Sequence, residues 1–131
     1  MPRKWVAAAF RPFEGLDGWM SDGSTRSEKV EFAIERLLET PDGWRPLVRD
    51  MVARWPEAPA AELVYVLVSA ATEIEATFAD GSPSRAAADH AWRLAALLGV
   101  DFYAMEAVGL PRTKAADLAG YWLIDPYFRN L

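Results

Sequence analysis

The sequence predicts an all-α protein, a single-domain bundle of five or six helices around a central apolar helix, with an N-terminal arm. Two observations favour this class. Apolar residues recur at helical spacing in successive segments, and proline and glycine separate those segments. A third bounds the size, because 131 residues with 52% hydrophobic content suffice for one domain with its own core. We assign residues 1–24 to the arm and 25–131 to the helical domain.

The arm, residues 1–24, is rich in turn signals. Asp-Gly dipeptides occupy positions 17–18 and 22–23, and Pro12 interrupts the first apolar stretch. Its four large aromatic residues are Trp5, Phe10, Phe13 and Trp19. These side chains predict that the arm docks, either on its own helical domain or on a neighbouring subunit.

Two amphipathic helices are predicted next. The first begins near Thr25, which has capping-box spacing to Glu28, and it ends before the Thr-Pro-Asp-Gly breaker at 40–43. Its apolar stripe consists of Val30, Ile34, Leu37 and Leu38. The second helix has apolar residues at i, i+3, i+4, i+7, i+8 and i+11 between Trp44 and Trp55.

The third helix, about 59–79, is the predicted centre of the bundle. Its Val-x-Val-x-Val alternation resembles a strand, but the alanines on both sides favour a helix. The face predicted for the core contains Leu63, Leu67, Ala70, Ile74 and Phe78. The opposite face contains Tyr65, Val68, Thr72, Ala76 and Ala79. A surface helix usually carries charges on that side, so this uncharged face predicts a second contact.

The fourth helix is predicted from 82–84 to Leu98, with Gly99 as its C-terminal stop. A further apolar strip on its far side consists of Trp92, Ala88 and Ala96. Because tryptophan is favoured at protein interfaces, Trp92 is a candidate contact residue.

The C-terminal part predicts two short helices and a tail. The first covers 101–108, and the second runs from a cap at Thr113 to Ile124. The tail, 127–131, contains two aromatic residues and is expected to pack on the bundle.

The formal net charge of −5 originates in one segment, 57–80, because the residues before and after it are balanced. The segment has no Lys or Arg, and its acids are Glu57, Glu62, Glu73, Glu75 and Asp80. Glu62 and Glu73 share one side of the helix but lie roughly 16 Å apart along it, too far for joint acid–base catalysis. They predict a solvated acidic edge that would attract a basic protein.

The segment 94–109 resembles the helix-turn-helix of repressor-type regulators, in which Leu-Ala-x-x-Leu-Gly-Val leads into a recognition helix. The resemblance implies DNA binding through these residues. However, the second half of the segment contains Asp101 and Glu106 and has no basic residue before Arg112. The predicted corner is therefore too acidic for contacts with DNA phosphates. The pI of the whole chain, near 4.9, also disfavours DNA binding.

The sequence contains no motif that indicates catalysis, a cofactor or a metal. His90 is the only histidine, and there is no cysteine. Glycine-rich nucleotide-binding loops are also missing from the sequence. A small-molecule or enzymatic site near His90 stays open as an alternative. No apolar run is long enough for a membrane span, and no signal peptide is recognisable, so we expect a cytoplasmic protein. The excess of Arg over Lys, with abundant Ala, indicates a bacterial source.

These observations favour a non-catalytic helical interaction or regulatory protein, homodimeric or bound to a basic protein. DNA binding through 94–109 and a site near His90 are the alternatives. The candidate interaction residues are Tyr65, Val68, Thr72, Ala76, Trp92, Glu62 and Glu73.

Overall fold

The computed structural model describes residues 25–131, which form an all-α bundle without β-strands. The predicted arm, 1–24, lies outside the described residues. The six helices of the described part are α1 (Arg26–Glu39), α2 (Leu47–Arg54), α3 (Ala60–Thr77), α4 (Ala86–Ala107), α5 (Ala115–Tyr121) and α6 (Tyr127–Asn130). The all-α prediction with a central third helix is confirmed.

Helix α3 organises the bundle because it packs against α1, α4 and α5. Its largest contact is with α4, which follows it in the chain. The predicted inner face is correct, with the side chains of Leu63, Leu67, Ala70 and Ile74 at 2% exposure or less. Removing this apolar surface from water is the main stabilising contribution of the helix.

Helix α1 begins as predicted, but its most deeply buried face is rotated from the predicted stripe. The Thr25 hydroxyl accepts a hydrogen bond from the Glu28 N–H at 3.1 Å, so the N-cap is confirmed. The predicted stripe is correct in part, because Leu37 is buried, while Val30, Ile34 and Leu38 are partly buried and pack against the edge of the core. The buried residues are Arg26, Lys29, Ala33 and Leu37. Helix α1 has this rotation because Lys29 pairs with an acid on α3, which sequence periodicity cannot detect.

Helix α2 follows the predicted apolar period. Leu47, Val48, Met51 and Val52 are buried in the core. Trp55 lies just after the helix and is also buried. Its backbone N–H donates to the Met51 carbonyl at 2.8 Å. The strong period succeeded as a predictor because every residue of the stripe contacts the same core.

Helix α4 is continuous over 22 residues, so the predicted stop at Gly99 is wrong. Leu98, Asp101 and Met105 are buried on one side of the helix across that position. Burial of this side offsets a cost of about 1 kcal/mol for glycine inside a helix. The helix instead ends before Gly109, which has a φ of +76° that L side chains rarely adopt. The helix-turn-helix corner predicted for 94–109 therefore does not form.

The C-terminal segment differs from the prediction in its cap and its length. The Asp117 carboxylate accepts hydrogen bonds from the N–H groups of Thr113 and Lys114, at 2.8 and 3.0 Å. Asp117 thus caps α5, whereas Thr113 does not. The helix ends at Tyr121 rather than at Ile124. The predicted packing of the tail is confirmed by Phe128, which is 1% exposed.

Candidate functional site

Four predicted interaction residues lie together on the outer side of α3. Tyr65, Val68, Thr72 and Ala76 are each partly exposed and form a strip without charge. The Thr72 hydroxyl donates to the Val68 carbonyl at 2.8 Å, so the one aliphatic hydroxyl of the strip is satisfied within the helix. A partner can therefore cover Thr72 without stranding its hydroxyl.

Trp92 joins this strip to α4. Its indole is 39% exposed, and its Nε1 donates to a Glu75 carboxylate oxygen at 3.0 Å. Along α4, Trp92, Ala96, Gly99 and Tyr103 fall within roughly 60° at 100° per residue. All four are exposed, and the phenol side chain of Tyr103 reaches 75% exposure.

We define the outer face as eight residues: Tyr65, Val68, Thr72 and Ala76 on α3, with Trp92, Ala96, Gly99 and Tyr103 on α4. None of the eight carries a charge. Sequence reasoning missed Gly99 and Tyr103 because it ended the helix at Gly99. If the helical spacing of α4 is extended past Gly99, both residues fall on the same face as Trp92. Ala88, predicted beside Trp92, is instead buried at 1% exposure.

Glu62 is not the exposed interaction residue that the sequence predicted. It is 5% exposed, and one carboxylate oxygen accepts a hydrogen bond from Lys29 Nζ at 2.5 Å. Arg26 Nε lies 3.8 Å from the other oxygen. Because α1 crosses α3 at this position, Glu62 is enclosed by two cationic side chains and is unavailable to a partner.

Most acids of the segment 57–80 are bound to donors from elsewhere in the chain, which its composition does not indicate. Donors from other segments bind four of its five acids: Lys114 binds Glu57, Lys29 binds Glu62, Trp92 binds Glu75 and Arg85 binds Asp80. The fifth acid, Glu73, is partly exposed on α3 and is not free of interactions either. The predicted edge of solvated carboxylates is therefore wrong at Glu62, whereas Glu57 and Asp80 are exposed ion-pair partners.

A second buried acid lies on α4. Asp101 is 8% exposed, and its carboxylate has no ion pair or hydrogen bond within residues 25–131. Burial, followed by the charge of Asp125, raises the pKa of Asp101 from 3.8 to about 6. The pKa of Tyr121 is raised by burial and then by the same two acids. Across residues 25–131 no three potential metal ligands cluster.

The surroundings of His90, the open alternative of the sequence, contain a half-open cavity of about 350 Å³. The end of α1 and the start of α4 enclose it. Its lining residues are Leu37, Leu38, Glu39, Thr40, Pro41, Pro83, Ser84, Ala86, Ala87 and His90. The His90 ring stacks on Trp44 with ring centres 4.6 Å apart and planes 5° apart. Sequence reasoning could not find the cavity because two distant segments form it.

Comparison of the chain with protein-family models, with curated proteins and with solved structures gives no match. Among the helices of residues 25–131, none combines the length and hydrophobicity needed to cross a lipid bilayer.

Proposed function

We propose that this protein is a non-catalytic helical interaction protein that forms a homodimer through the outer face. The observation that supports the proposal is a run of eight uncharged residues across two adjacent helices, with Trp92 and Tyr103 exposed to solvent. Exposed aromatic residues that group together on a surface are typical of interfaces. The cytoplasmic location and bacterial source belong to the same proposal and rest on composition alone.

Charge favours a second copy of the chain as the occupant of this face. Each chain has a formal net charge of −5, so two copies repel one another in general. An uncharged surface lets identical copies approach without direct contact between like charges. A basic partner is less well supported, because Glu62 is buried and most of the neighbouring acids already bind donors.

The order of side chains along α4 also suits a twofold axis. Two large aromatic residues, Trp92 and Tyr103, flank the small residues Ala96 and Gly99. In an antiparallel pair of α4 helices, an aromatic ring of one copy can lie over the small residues of the other. Such mutual contacts between the same surface on two copies define a twofold dimer.

A matched pair of alanine substitutions tests the proposal. Ala96 on α4 and Ala53 on α2 are both exposed, so Ala96→Glu and Ala53→Glu add the same charge without disturbing the core. Multi-angle light scattering at tens of micromolar protein should give a dimer for the wild type and Ala53→Glu. Ala96→Glu should be a folded monomer, because it places one carboxylate on the outer face of each copy, and these two like charges would face each other in the dimer.

Circular dichroism of both variants serves as the folding control. A monomeric wild type would contradict the homodimer. A dimer that survives Ala96→Glu unchanged would show that the interface lies elsewhere on the chain.

A further inference from the structure

We propose that the cavity beside His90 binds a small cationic amine with an apolar body. This inference is independent of the dimer, because the cavity lies between the end of α1 and the start of α4 rather than on the outer face. Three features of the cavity favour such a ligand: its shape, the sign of the charge around it, and the unused hydrogen-bonding capacity of His90.

The shape of the cavity suits a small molecule rather than a peptide. Its volume of about 350 Å³ lies at the low end of the range for ligand sites. Leu37, Leu38, Pro41 and Pro83 supply most of the apolar wall. An aromatic ring with a short side chain is of the appropriate size.

The charge of the lining favours a cation. Glu39 is the only charged residue among the ten that line the cavity, and its carboxylate forms no ion pair within residues 25–131. The carbonyls in the last turn of α1 carry partial negative charge. Pro41 has no N–H to donate to them, and no backbone N–H from the turn that follows α1 donates to Leu38 or Glu39.

The wall formed by the start of α4 does not provide free backbone N–H groups that could bind an anion. The first N–H groups of α4 are already used, since Ala86 donates to the Ser82 carbonyl at 3.4 Å and Ala87 to that of Ser84 at 3.2 Å. The lining holds one carboxylate and no Lys or Arg, which favours an ammonium group over a carboxylate or a phosphate.

His90 adds a fixed polar group at the apolar wall. Stacking on Trp44 holds its ring, and neither ring nitrogen has a hydrogen-bond partner within residues 25–131. A neutral imidazole can accept a hydrogen bond from an amine or donate one to another group of the ligand. Leaving this capacity to the ligand is typical of binding pockets, which combine an apolar wall with a few polar groups.

Three probes of similar shape and different charge test the proposal: 2-phenylethylamine, 2-phenylethanol and 3-phenylpropionate. The imidazole proton signals of the single histidine report binding at this site in NMR titrations of the full chain. We expect saturable shifts with the amine at millimolar concentration, weaker binding of the alcohol and none of the carboxylate. Equal or tighter binding of 3-phenylpropionate, or no saturable shift with any probe, would overturn the proposal.

Two exposed acids on α1 provide a matched pair of variants. Glu39→Gln removes the charge at the cavity, and Glu35→Gln removes one an α-helical turn away, outside the lining. Glu39→Gln should weaken 2-phenylethylamine binding about threefold to fivefold, the range of an exposed ion pair. Glu35→Gln should leave it unchanged, and an equal loss in both variants would contradict a specific role for Glu39.

Discussion

Two buried carboxylates in this bundle have opposite electrostatic surroundings. Glu62 on α3 is 5% exposed, with Lys29 hydrogen-bonded to one oxygen and Arg26 close to the other. Asp101 on α4 is 8% exposed, and the charge that adds to the effect of its burial is that of another acid, Asp125. Both side chains are buried to a similar extent, but only Glu62 lies beside side chains of opposite charge.

The comparison shows that partners, rather than burial, decide what a buried acid contributes to stability. Burial disfavours the charged form of any carboxylate. Attraction to two cations offsets this penalty for Glu62, whereas Asp125 adds to it for Asp101. We therefore expect substitution of the two acids to change the free energy of unfolding in opposite directions.

The largest expected effect is that of Glu62→Gln. The substitution leaves Lys29 and Arg26 without their shared carboxylate in a buried site, so it should lower the free energy of unfolding by about 3–5 kcal/mol. Denaturant titration at pH 7 measures this loss. In a double-mutant cycle, Lys29→Met combined with Glu62→Gln should cost less than the sum of the two single changes. Additive effects would contradict the pairing.

Asp101→Asn should stabilise the protein at neutral pH. The pKa of Asp101 is about 6 in the folded protein and 3.8 ordinarily, so the folded state holds the proton more tightly. The resulting stabilisation is complete below about pH 4 and is lost as the pH rises through 6. The variant should not show this loss. Above pH 7 its free energy of unfolding should exceed that of the wild type by up to about 3 kcal/mol. The prediction is refuted if the difference in free energy of unfolding between the variant and the wild type stays constant between pH 4 and 8.

Asp125→Asn should have a smaller effect, on the pKa of Asp101 rather than on the fold. The charge of Asp125 is the second cause of the raised pKa of Asp101, after burial. Its removal should lower that pKa only part of the way to its ordinary value and should also lower the pKa of Tyr121. Carbon-detected NMR titration of the Asp101 carboxyl measures the change. An unaltered pKa would mean that burial alone acts on Asp101.

The smallest effect is expected for Glu57→Gln, an exposed counterpart of Glu62. Glu57 binds Lys114 Nζ at 2.9 Å, and both side chains are more than half exposed. The hydrogen bond and charge of Glu57 raise the pKa of Lys114, so the variant should lower that pKa in an NMR titration. Stability should not change measurably, because water replaces the lost partner. A loss comparable to that of Glu62→Gln would remove the distinction between buried and exposed pairs.

The elements predicted best from the sequence are those whose signals are local. The cap at Thr25 depends on a hydroxyl and an N–H three residues apart, and both belong to one turn. The stripe of α2 and the inner face of α3 depend on periods that a single helix contains. Four members of the outer face, Tyr65, Val68, Thr72 and Ala76, follow from the same kind of argument.

The predictions that failed depend on neighbours in space. Nothing within α3 shows that Glu62 is buried, because Lys29 arrives from another helix 33 residues earlier in the chain. Gly99 is a plausible stop by propensity, but the buried side of α4 continues through it to Met105. The cavity beside His90 likewise exists only after the end of α1 meets the start of α4.

By itself, the sequence determined the all-α class, the central position of α3 and the uncharged strip on its outer side, because hydrophobic period and capping act within a few turns. Only the tertiary structure decided which acids are buried, which cations meet them, and where a cavity and a continuous outer face occur. The physical reason is that the energy of a charge depends on every group within several ångströms, and folding brings those groups from distant parts of the chain.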